Sequence, residues 1–281
     1  SVAALPDALH DLLRSPGRSV RSLAWRALHR GARLERPIFV IGSPRSGTTL
    51  AVDLFATHPD VANWSEAGRV WDPTHYDDPE AEHVWRAEDA TPARVARLHR
   101  WFEWYRRSQR RTRFVNKHPR NSLRIPFLLL AFPDARFIHV IRDGRGVVSS
   151  VLEEIRRSER RQRLPMGGFA KPAGWRQMLR DDLALQSALQ WQAIVRTARA
   201  EGAPLGAAYT EVRYETLCAV PRETYRALFH FAGLRSGDAA LAGIPARLEE
   251  SEGWRHRLTT ADRARIERSA AGLLNELGYL P

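Results

Sequence analysis

The stretch PIFVIGSPRSGTTLAVDLF, from Pro37 to Phe55, joins two apolar segments through a glycine-containing loop. The apolar run 38–41 is typical of a buried strand, and the residues from Thr48 onward are typical of a helix. Gly42 and Gly47 stand where a phosphate-binding P-loop has its glycines, but Thr48 replaces the lysine of such a loop. The stretch therefore predicts a strand–loop–helix unit that binds an anion without the usual lysine.

The predicted loop carries several groups that can hold an anion. Its backbone N–H groups can point inward, and the N-terminus of the following helix adds partial positive charge. Because the lysine that reaches a γ-phosphate is absent, the loop suits a shorter anion, with one phosphate and one further tetrahedral group, and has less need of a metal. A glycine-rich turn without a ligand is the alternative. The candidate anion-binding residues are Arg45, Ser46, Gly47, Thr48 and Thr49.

Short apolar runs alternate with helical patterns along most of the chain. Besides the first run, strands are expected within 113–119, 137–141 and 207–217. This alternation predicts an α/β fold of three layers, α/β/α, with a central parallel sheet and a P-loop-like first unit. In such sheets ligands bind at the carboxyl ends of the strands. We expect a basic helical extension over residues 1–36 and one domain over residues 37–281.

Two later segments have distinct patterns. Residues 156–182 combine clustered charge with glycine and proline, which is typical of a loop and makes this segment a candidate lid. Residues 182–200 follow as an amphipathic helix, in which we expect Trp191 to pack in the core.

Composition narrows the class of protein. The chain has 281 residues, of which 43% are hydrophobic and 27% charged, as in one large folded α/β domain. Its formal net charge of +12 favours anionic partners without selecting among them. The single cysteine, Cys218, excludes an internal disulfide framework and a thiolate metal site, and no paired histidine spacing suggests a metal.

No membrane span or signal peptide is visible in the sequence. The longest apolar run, 125–132, is much shorter than the roughly 20 residues that a spanning helix needs. The chain begins at Ser1 rather than at methionine, which leaves an upstream anchor or targeting segment open.

A second motif, FIHVIRDGRGVVSSV, covers residues 137–151. Arg142 directly follows a predicted buried strand, and Ser150 stands two turns into the next predicted helix. An arginine guanidinium, which can form two parallel hydrogen bonds, often binds a phosphate together with a hydroxyl group. The motif is therefore a candidate second anion site, with a surface salt bridge for Arg142 and helix packing for Ser150 as the alternative.

The two motifs together resemble the 5′-phosphosulfate loop (GSPRSGTTL) and the 3′-phosphate motif of the sulfotransferases that use 3′-phosphoadenosine 5′-phosphosulfate (PAPS). Further stretches resemble the tyrosylprotein branch and its bacterial relatives: THPDVANWSEAGRV, FVNKHP, LLLAFPDARF, VRYETL and LLNELGYLP. The resemblance runs with gaps from about residue 37 to 281 and leaves out 1–36 and 74–112. It implies in-line transfer of SO₃ from PAPS to an acceptor hydroxyl, with 3′-phosphoadenosine 5′-phosphate (PAP) as product and without a metal. A phosphosulfate has no γ-phosphate, which accounts for the missing lysine.

The resemblance offers two candidates for the catalytic base. Glu66, in NWSEAGR, stands where the tyrosylprotein branch has its catalytic glutamate. His118, in NKHP, is near the histidine of the cytosolic branch, with a spacing that differs by one residue. Histidine has the better ordinary pKa for this task, whereas a glutamate needs a raised pKa or an acidic acceptor. We favour Glu66, with an ion pair to Arg69 as its structural alternative, and expect Lys117 and Arg45 to stabilise the leaving group.

Nucleotide contacts are also implied nearer the C-terminus. Tyr214, in VRYETL, matches a family position near the adenosine, with core packing as the alternative. The tyrosylprotein branch has SKW where this chain reads EGW, so a lysine contact is absent. Arg255 is the candidate that takes its place, with Arg257 as a second choice.

Two other functions compete with this interpretation. A P-loop nucleotide kinase is disfavoured by the missing lysine and by the lack of a Mg²⁺-holding aspartate after a buried strand. A non-enzymatic polyanion-binding protein accounts for the net charge but not for the glycine and hydroxyl pattern.

The expected partners are PAPS and a hydroxyl acceptor, namely a small molecule, a sugar or a tyrosine, and not nucleic acid, with a homodimer left open. The arginine- and alanine-rich composition favours a soluble enzyme of the bacterial cytoplasm. Residues 64–112 and 156–182, which would shape the acceptor pocket, match nothing specific, so the acceptor is not predicted.

Overall fold

The computed structural model describes residues 31–76, 78–249 and 253–280. Most of the basic extension that we predicted over residues 1–36 lies outside the described residues. Within the described parts, no helix is both long and apolar enough to cross a membrane.

Five parallel strands form one sheet in the order β2-β3-β1-β4-β5. The register places Val40 of the central strand opposite Lys117 on one side and Ile138 on the other. The parallel sheet predicted from the alternation of strands and helices is therefore confirmed. The strands are β1 (Ile38–Ile41), β2 (Val61–Asn63), β3 (Arg113–Lys117), β4 (Arg136–Ile141) and β5 (Tyr209–Arg213).

Helices connect and cover the strands. They are α1 (Thr48–Phe55), α2 (Pro92–Ser108), α3 (Ile125–Ala131), α4 (Gly144–Arg156), α5 (Glu159–Gln162), α6 (Leu183–Gly202), α7 (Tyr214–Ala219), α8 (Pro221–Phe231), α9 (Trp254–Arg257) and α10 (Thr260–Glu276). The helix expected over 122–132 is divided into a 3₁₀ turn, Pro119–Leu123, and α3, which has a proline in its first turn. Proline fits there because the first turn needs no N–H donor from it. The loop expected over 156–182 contains the short helix α5.

The alternation of side chains along β1 divides the core into two layers. Ile38 and Val40 pack with apolar residues of α1 and α8 on one face of the sheet. Phe39 and Ile41 pack with residues of α2 and α3 on the other face. A third cluster joins α4, α6 and α10, and Trp191 lies within it with 1% of its surface exposed, as expected for a core residue.

The strand order creates a crevice above the carboxyl ends of β1 and β4. After β1 the chain runs to the edge strand β2, and after β4 it runs to the opposite edge strand β5. Neighbouring strands whose connections diverge in this way leave an opening where α/β proteins bind ligands. The loop that follows β1 and the residues that follow β4 both reach this opening.

Candidate active site

The loop between β1 and α1 is held open by contacts with its own backbone and with Ser122. The Gly42 N–H donates to Ser122 Oγ at 2.8 Å, and this hydroxyl donates to the Gly42 carbonyl at 2.9 Å. Ser46 Oγ donates to the Ser43 carbonyl at 2.7 Å. Gly47 begins α1 with a left-handed φ of 92° and without a side-chain cap. The first amides of α1 are therefore left facing the crevice, as in a helix N-terminus that binds an anion.

Arg45 connects the two predicted anion motifs. Its Nε donates to Ser150 Oγ at 3.0 Å, and its Nη1 lies 3.8 Å from Glu154 Oε2. Its carbonyl accepts a hydrogen bond of 3.2 Å from Arg142 Nη1. The fold therefore brings Arg45, Arg142 and Ser150 to one place, although they come from separate elements.

Tyr214 lies between the loop and Arg142. The Arg142 guanidinium is 4.4 Å from the centroid of the Tyr214 ring, which is a cation–π geometry. A Cβ added to Gly47 would lie only 2.3 Å from a carbon of the same ring. Tyr214 is 6% exposed. Its ring thus packs against both predicted anion motifs as a buried core residue, and its contact with a nucleotide stays a prediction.

The other predicted anion-binding residues differ in exposure. Ser46 and Thr48 are buried, whereas Thr49 is exposed. Arg255 lies over the ring of Trp254, with 4.7 Å between its Cζ and the ring centroid. Arg257 Nε donates to Ser149 Oγ at 3.3 Å, beside Ser150. Arg257 thus has a hydrogen bond to the helix that carries the second motif.

Glu66 and Lys117 form a direct ion pair at the end of β3. Lys117 Nζ donates to Glu66 Oε1 at 2.6 Å. The lysine side chain is 5% exposed and the glutamate side chain 54%. Glu66 and Ala67 both have left-handed φ values, 61° and 44°, in a backbone region that is costly for residues with a Cβ. This strained turn presents the carboxylate to the crevice and holds the buried ammonium beneath it.

His118 lies on the opposite side of the strand from Lys117. Lys117 follows Val115 on the face of α1, and the extended backbone of His118 directs the next side chain to the other face. Its ring contacts Trp71 and Tyr76, with centroid separations of 6.1 and 6.0 Å. Its Nδ1 accepts from the Arg120 N–H at 3.1 Å, so the ring is engaged by the backbone at the end of the strand.

Burial and nearby cations, foremost Arg124, lower the pKa of His118 well below its ordinary value. The imidazole is therefore neutral.

Two of these relationships were not predicted from the sequence. Ser122 anchors Gly42 but stands in no recognised motif, and its apolar neighbours suggested only a helix. The Glu66–Lys117 pair joins residues from separate stretches of the resemblance, and no local pattern links them. Within the described parts of the chain, no group of three or more potential metal ligands is clustered.

Comparison with known proteins gives a consistent family. The sequence profile described as "Sulfotransferase family" matches residues 37–238. A putative protein-tyrosine sulfotransferase of Caenorhabditis briggsae is 26% identical over 156 residues, which cover 49% of this chain and 48% of the relative. The chain thus matches about half the length of that relative.

Solved structures show the same fold at low sequence identity. Sulfotransferase STF1 of Mycobacterium tuberculosis is 14% identical, with a TM-score of 0.56 over 89% of this chain and 81% of its own. Mouse sulfotransferase SULT7A1, solved in complex with PAP, is 12% identical, with a TM-score of 0.52 over 87% of this chain and 86% of its own. With the profile match, the parallel P-loop-like sheet and the two joined anion motifs, these findings identify the chain as a member of the sulfotransferase family.

Proposed function

We propose that the protein transfers the sulfuryl group of PAPS to an acceptor hydroxyl by in-line displacement. The observation that carries the proposal is the contact between the two anion motifs, in which Arg45 bonds to Ser150 and Arg142 bonds to the Arg45 carbonyl. A donor with phosphates at both its 3′ and 5′ positions needs two anion sites at a fixed separation. If the protein bound a ligand with a single anionic group, the second motif would have no phosphate to bind.

The residues present fit such a donor. The uncapped N-terminus of α1, with Ser46, Thr48 and Thr49, offers N–H and O–H donors for a phosphosulfate. Arg142 and Ser150 offer a charged fork and a hydroxyl for a 3′-phosphate. We assign the adenosine end to the side of Tyr214, and we propose Arg255 as a further contact of the nucleotide.

Glu66 is the proposed general base. Its carboxylate is half exposed at the crevice, where it can accept the proton of the acceptor hydroxyl. The acceptor oxygen then forms a bond to sulfur as the bond from sulfur to the bridging oxygen breaks. The geometry of His118 supports this choice, because its ring faces Trp71 and Tyr76 on the other side of β3.

Lys117 and Arg45 are the proposed stabilisers of the leaving phosphate. An ammonium has three donors, and Lys117 uses one of them on Glu66, so the others can reach the bridging oxygen. Charge that develops on the leaving group in a mostly buried site is stabilised more strongly than in water. We propose no metal, because the cations of the chain supply this charge.

Binding and transfer together test the proposal. Calorimetry should show that PAP binds the protein more tightly than ATP with Mg²⁺, and labelled PAPS should pass its sulfuryl group to members of a panel of phenols, sugars and peptides. Preference for ATP with Mg²⁺ would indicate a kinase instead. Tight DNA binding with a steep salt dependence, and no binding of PAP, would indicate a polyanion-binding protein.

A further inference from the structure

Four buried N–H groups near the candidate active site have no hydrogen-bond partner among the described residues. The four nitrogen atoms are Trp71 Nε1, His83 Nε2, His118 Nε2 and Arg124 Nη1. Each of these residues is at most 3% exposed. A buried donor without an acceptor is destabilising because it has lost its hydrogen bond to water, so four of them together require an explanation.

The four side chains form one cluster, which we call the donor cluster. The ring centroids of Trp71 and His118 are 6.1 Å apart. Arg124 Cζ lies 5.9 Å from the centroid of the Trp71 ring. Arg124 Nε donates to the His83 carbonyl at 3.1 Å, which brings His83 to the same place. Arg124 is therefore a neighbour of both histidines, and its charge acts on both rings.

The tautomers of the two histidines follow from their other contacts. His83 Nδ1 accepts from the Lys171 N–H at 2.9 Å, and His118 Nδ1 accepts from the Arg120 N–H at 3.1 Å. In each neutral ring the proton must then be on Nε2, which makes both unpartnered nitrogens donors. Burial and neighbouring cations lower the pKa of His83 to about 2, so this ring is also neutral.

Acceptors are scarce around these donors. Arg124 takes part in none of the ion pairs found within the described ranges. The Asp72 carboxylate interacts electrostatically with Arg124. Its Oδ1, however, already accepts hydrogen bonds from the backbone N–H groups of Thr74 and His75. Asn121 Oδ1 is a buried acceptor without a partner in the same segment. Even if it accepted from one of the four donors, three would be left without an acceptor.

A group that only accepts hydrogen bonds and carries negative charge satisfies this arrangement. We propose that the donor cluster is a buried oxyanion site that holds a carboxylate, sulfate or phosphate group of the acceptor. This assignment rests on the proposed function. The cluster adjoins the proposed catalytic residues along the chain, because Trp71 stands five residues after Glu66 and His118 directly follows Lys117, although its ring lies on the other side of β3.

Two further cations, Arg120 and Lys171, lie near the donor cluster. The Arg120 guanidinium donates to the Tyr76 carbonyl at 3.1 Å and lies 4.4 Å from its ring centroid. Lys171 Nζ donates to the Pro79 carbonyl. Arg120 acts electrostatically on both histidines and Lys171 on His83, and this positive charge favours an anionic group over a neutral one of the same shape.

The test uses protein saturated with PAP, so that the donor pockets are filled. The imidazole ¹⁵N resonances of His83 and His118 are followed by NMR during titration with sodium sulfate, against sodium chloride at equal ionic strength. A second pair of titrations compares 4-hydroxyphenylacetate with its uncharged analogue, 4-hydroxyphenylacetamide. We expect saturable shifts at both Nε2 atoms with sulfate and with the acid, and none with the amide.

Variants separate the cluster from general charge effects. Arg124→Met should weaken the binding of sulfate and of 4-hydroxyphenylacetate at least about tenfold, as expected for loss of a charge-assisted hydrogen bond. Trp71→Phe keeps an aromatic ring and removes one donor, so it tests the cluster even if Arg124→Met does not fold. Arg157→Met is the matched control, because it removes an arginine whose side chain is 75% exposed. PAP affinity should be unchanged in all three variants.

Each adverse outcome has a distinct meaning. If PAP does not bind, the proposed function fails before the cluster is tested. If PAP binds but no anion shifts either histidine, or if the shifts persist in Arg124→Met and Trp71→Phe, the oxyanion site is overturned. If sulfate alone shifts them, the cluster binds an adventitious ion only, and its role in acceptor recognition is wrong.

Discussion

Arg45 Nε donates a hydrogen bond of 3.0 Å to Ser150 Oγ across 105 residues of sequence. Arg45 follows β1 and Ser150 lies in the second turn of α4, which follows β4. The contact exists because β1 and β4 are neighbours in the sheet and their connections diverge. The order of the strands therefore joins the two candidate anion motifs through a direct contact between their own side chains.

The first prediction concerns this contact. Arg45→Ala should lower kcat by at least about 10²-fold, because it removes a cation next to the leaving group. Ser150→Ala should mainly weaken PAP binding, since its hydroxyl is proposed to contact the 3′-phosphate. Initial rates and calorimetry with PAP measure the two effects. Arg163→Ala, at a side chain that is 82% exposed, should change neither. A near-normal kcat for Arg45→Ala would remove this residue from the site.

The second prediction separates the two candidate bases. Glu66→Gln should lower kcat by at least about 10²-fold, the lower range for loss of a general base. Lys117→Ala should also abolish turnover, through loss of the leaving-group cation. His118→Phe should affect stability more than kcat per folded molecule, because the ring is buried against Trp71 and Tyr76. Rates are normalised to the folded fraction measured by circular dichroism. Severe loss of kcat in His118→Phe with activity retained in Glu66→Gln would reverse the assignment.

The third prediction concerns the close approach of Gly47 and Tyr214. Gly47→Ala places a Cβ 2.3 Å from the Tyr214 ring at a φ of 92°, so both the ring and the loop must move. We expect lower stability and at least about tenfold weaker PAP binding, equivalent to roughly 1.4 kcal/mol. Gly272→Ala is the control, because it lies inside α10, where the nearest atom to a new Cβ is 3.7 Å away. That change should leave PAP binding unaltered and stabilise the helix slightly. Unchanged PAP affinity in Gly47→Ala would argue against the loop as the donor site.

Much of the central fold was predictable because its signals are local. The glycine loop between an apolar run and a helical pattern predicted β1 and α1, and buried runs of suitable length predicted β3 and β4. The division of 119–131 into a 3₁₀ turn and α3 was not predicted. The stretch 122–132 has no break that separates the two elements apart from Pro126, and the start of α3 depends on the position of that proline.

The candidate site was less predictable because its contacts join distant residues. The order of the strands decides that Arg45 meets Ser150, and no local pattern contains that order. Arg124 is the clearest case: in the sequence it reads as an ordinary polar position of a helix, yet it is 2% exposed in the fold. Only the packing of Trp71 and Trp85 against its guanidinium shows why it is buried.

The fourth prediction concerns stability in acid. Burial lowers the pKa of His139 to about 3 and that of His83 to about 2, and His58, His99 and His118 are shifted in the same direction. Above the ordinary histidine pKa of about 6.5, both folded and unfolded chains hold these rings neutral. Below that value the unfolded chain takes up protons and the folded chain does not. The free energy of unfolding should therefore decrease as the pH falls from about 6.5 toward 3.

Each neutral buried histidine should contribute a slope of up to about 1.4 kcal/mol per pH unit below pH 6. Denaturant unfolding at pH 7, 6 and 5 measures the total slope. His139→Phe should lower the stability at pH 7, because Tyr209 loses a 2.6 Å hydrogen bond. The difference from the unaltered protein should narrow as the pH falls, because the variant lacks the slope that one histidine contributes. Leu130→Ala changes an exposed side chain that carries no titratable proton and should leave the slope unaltered. An equal slope in His139→Phe and the unaltered protein would mean that His139 takes up its proton in the folded state.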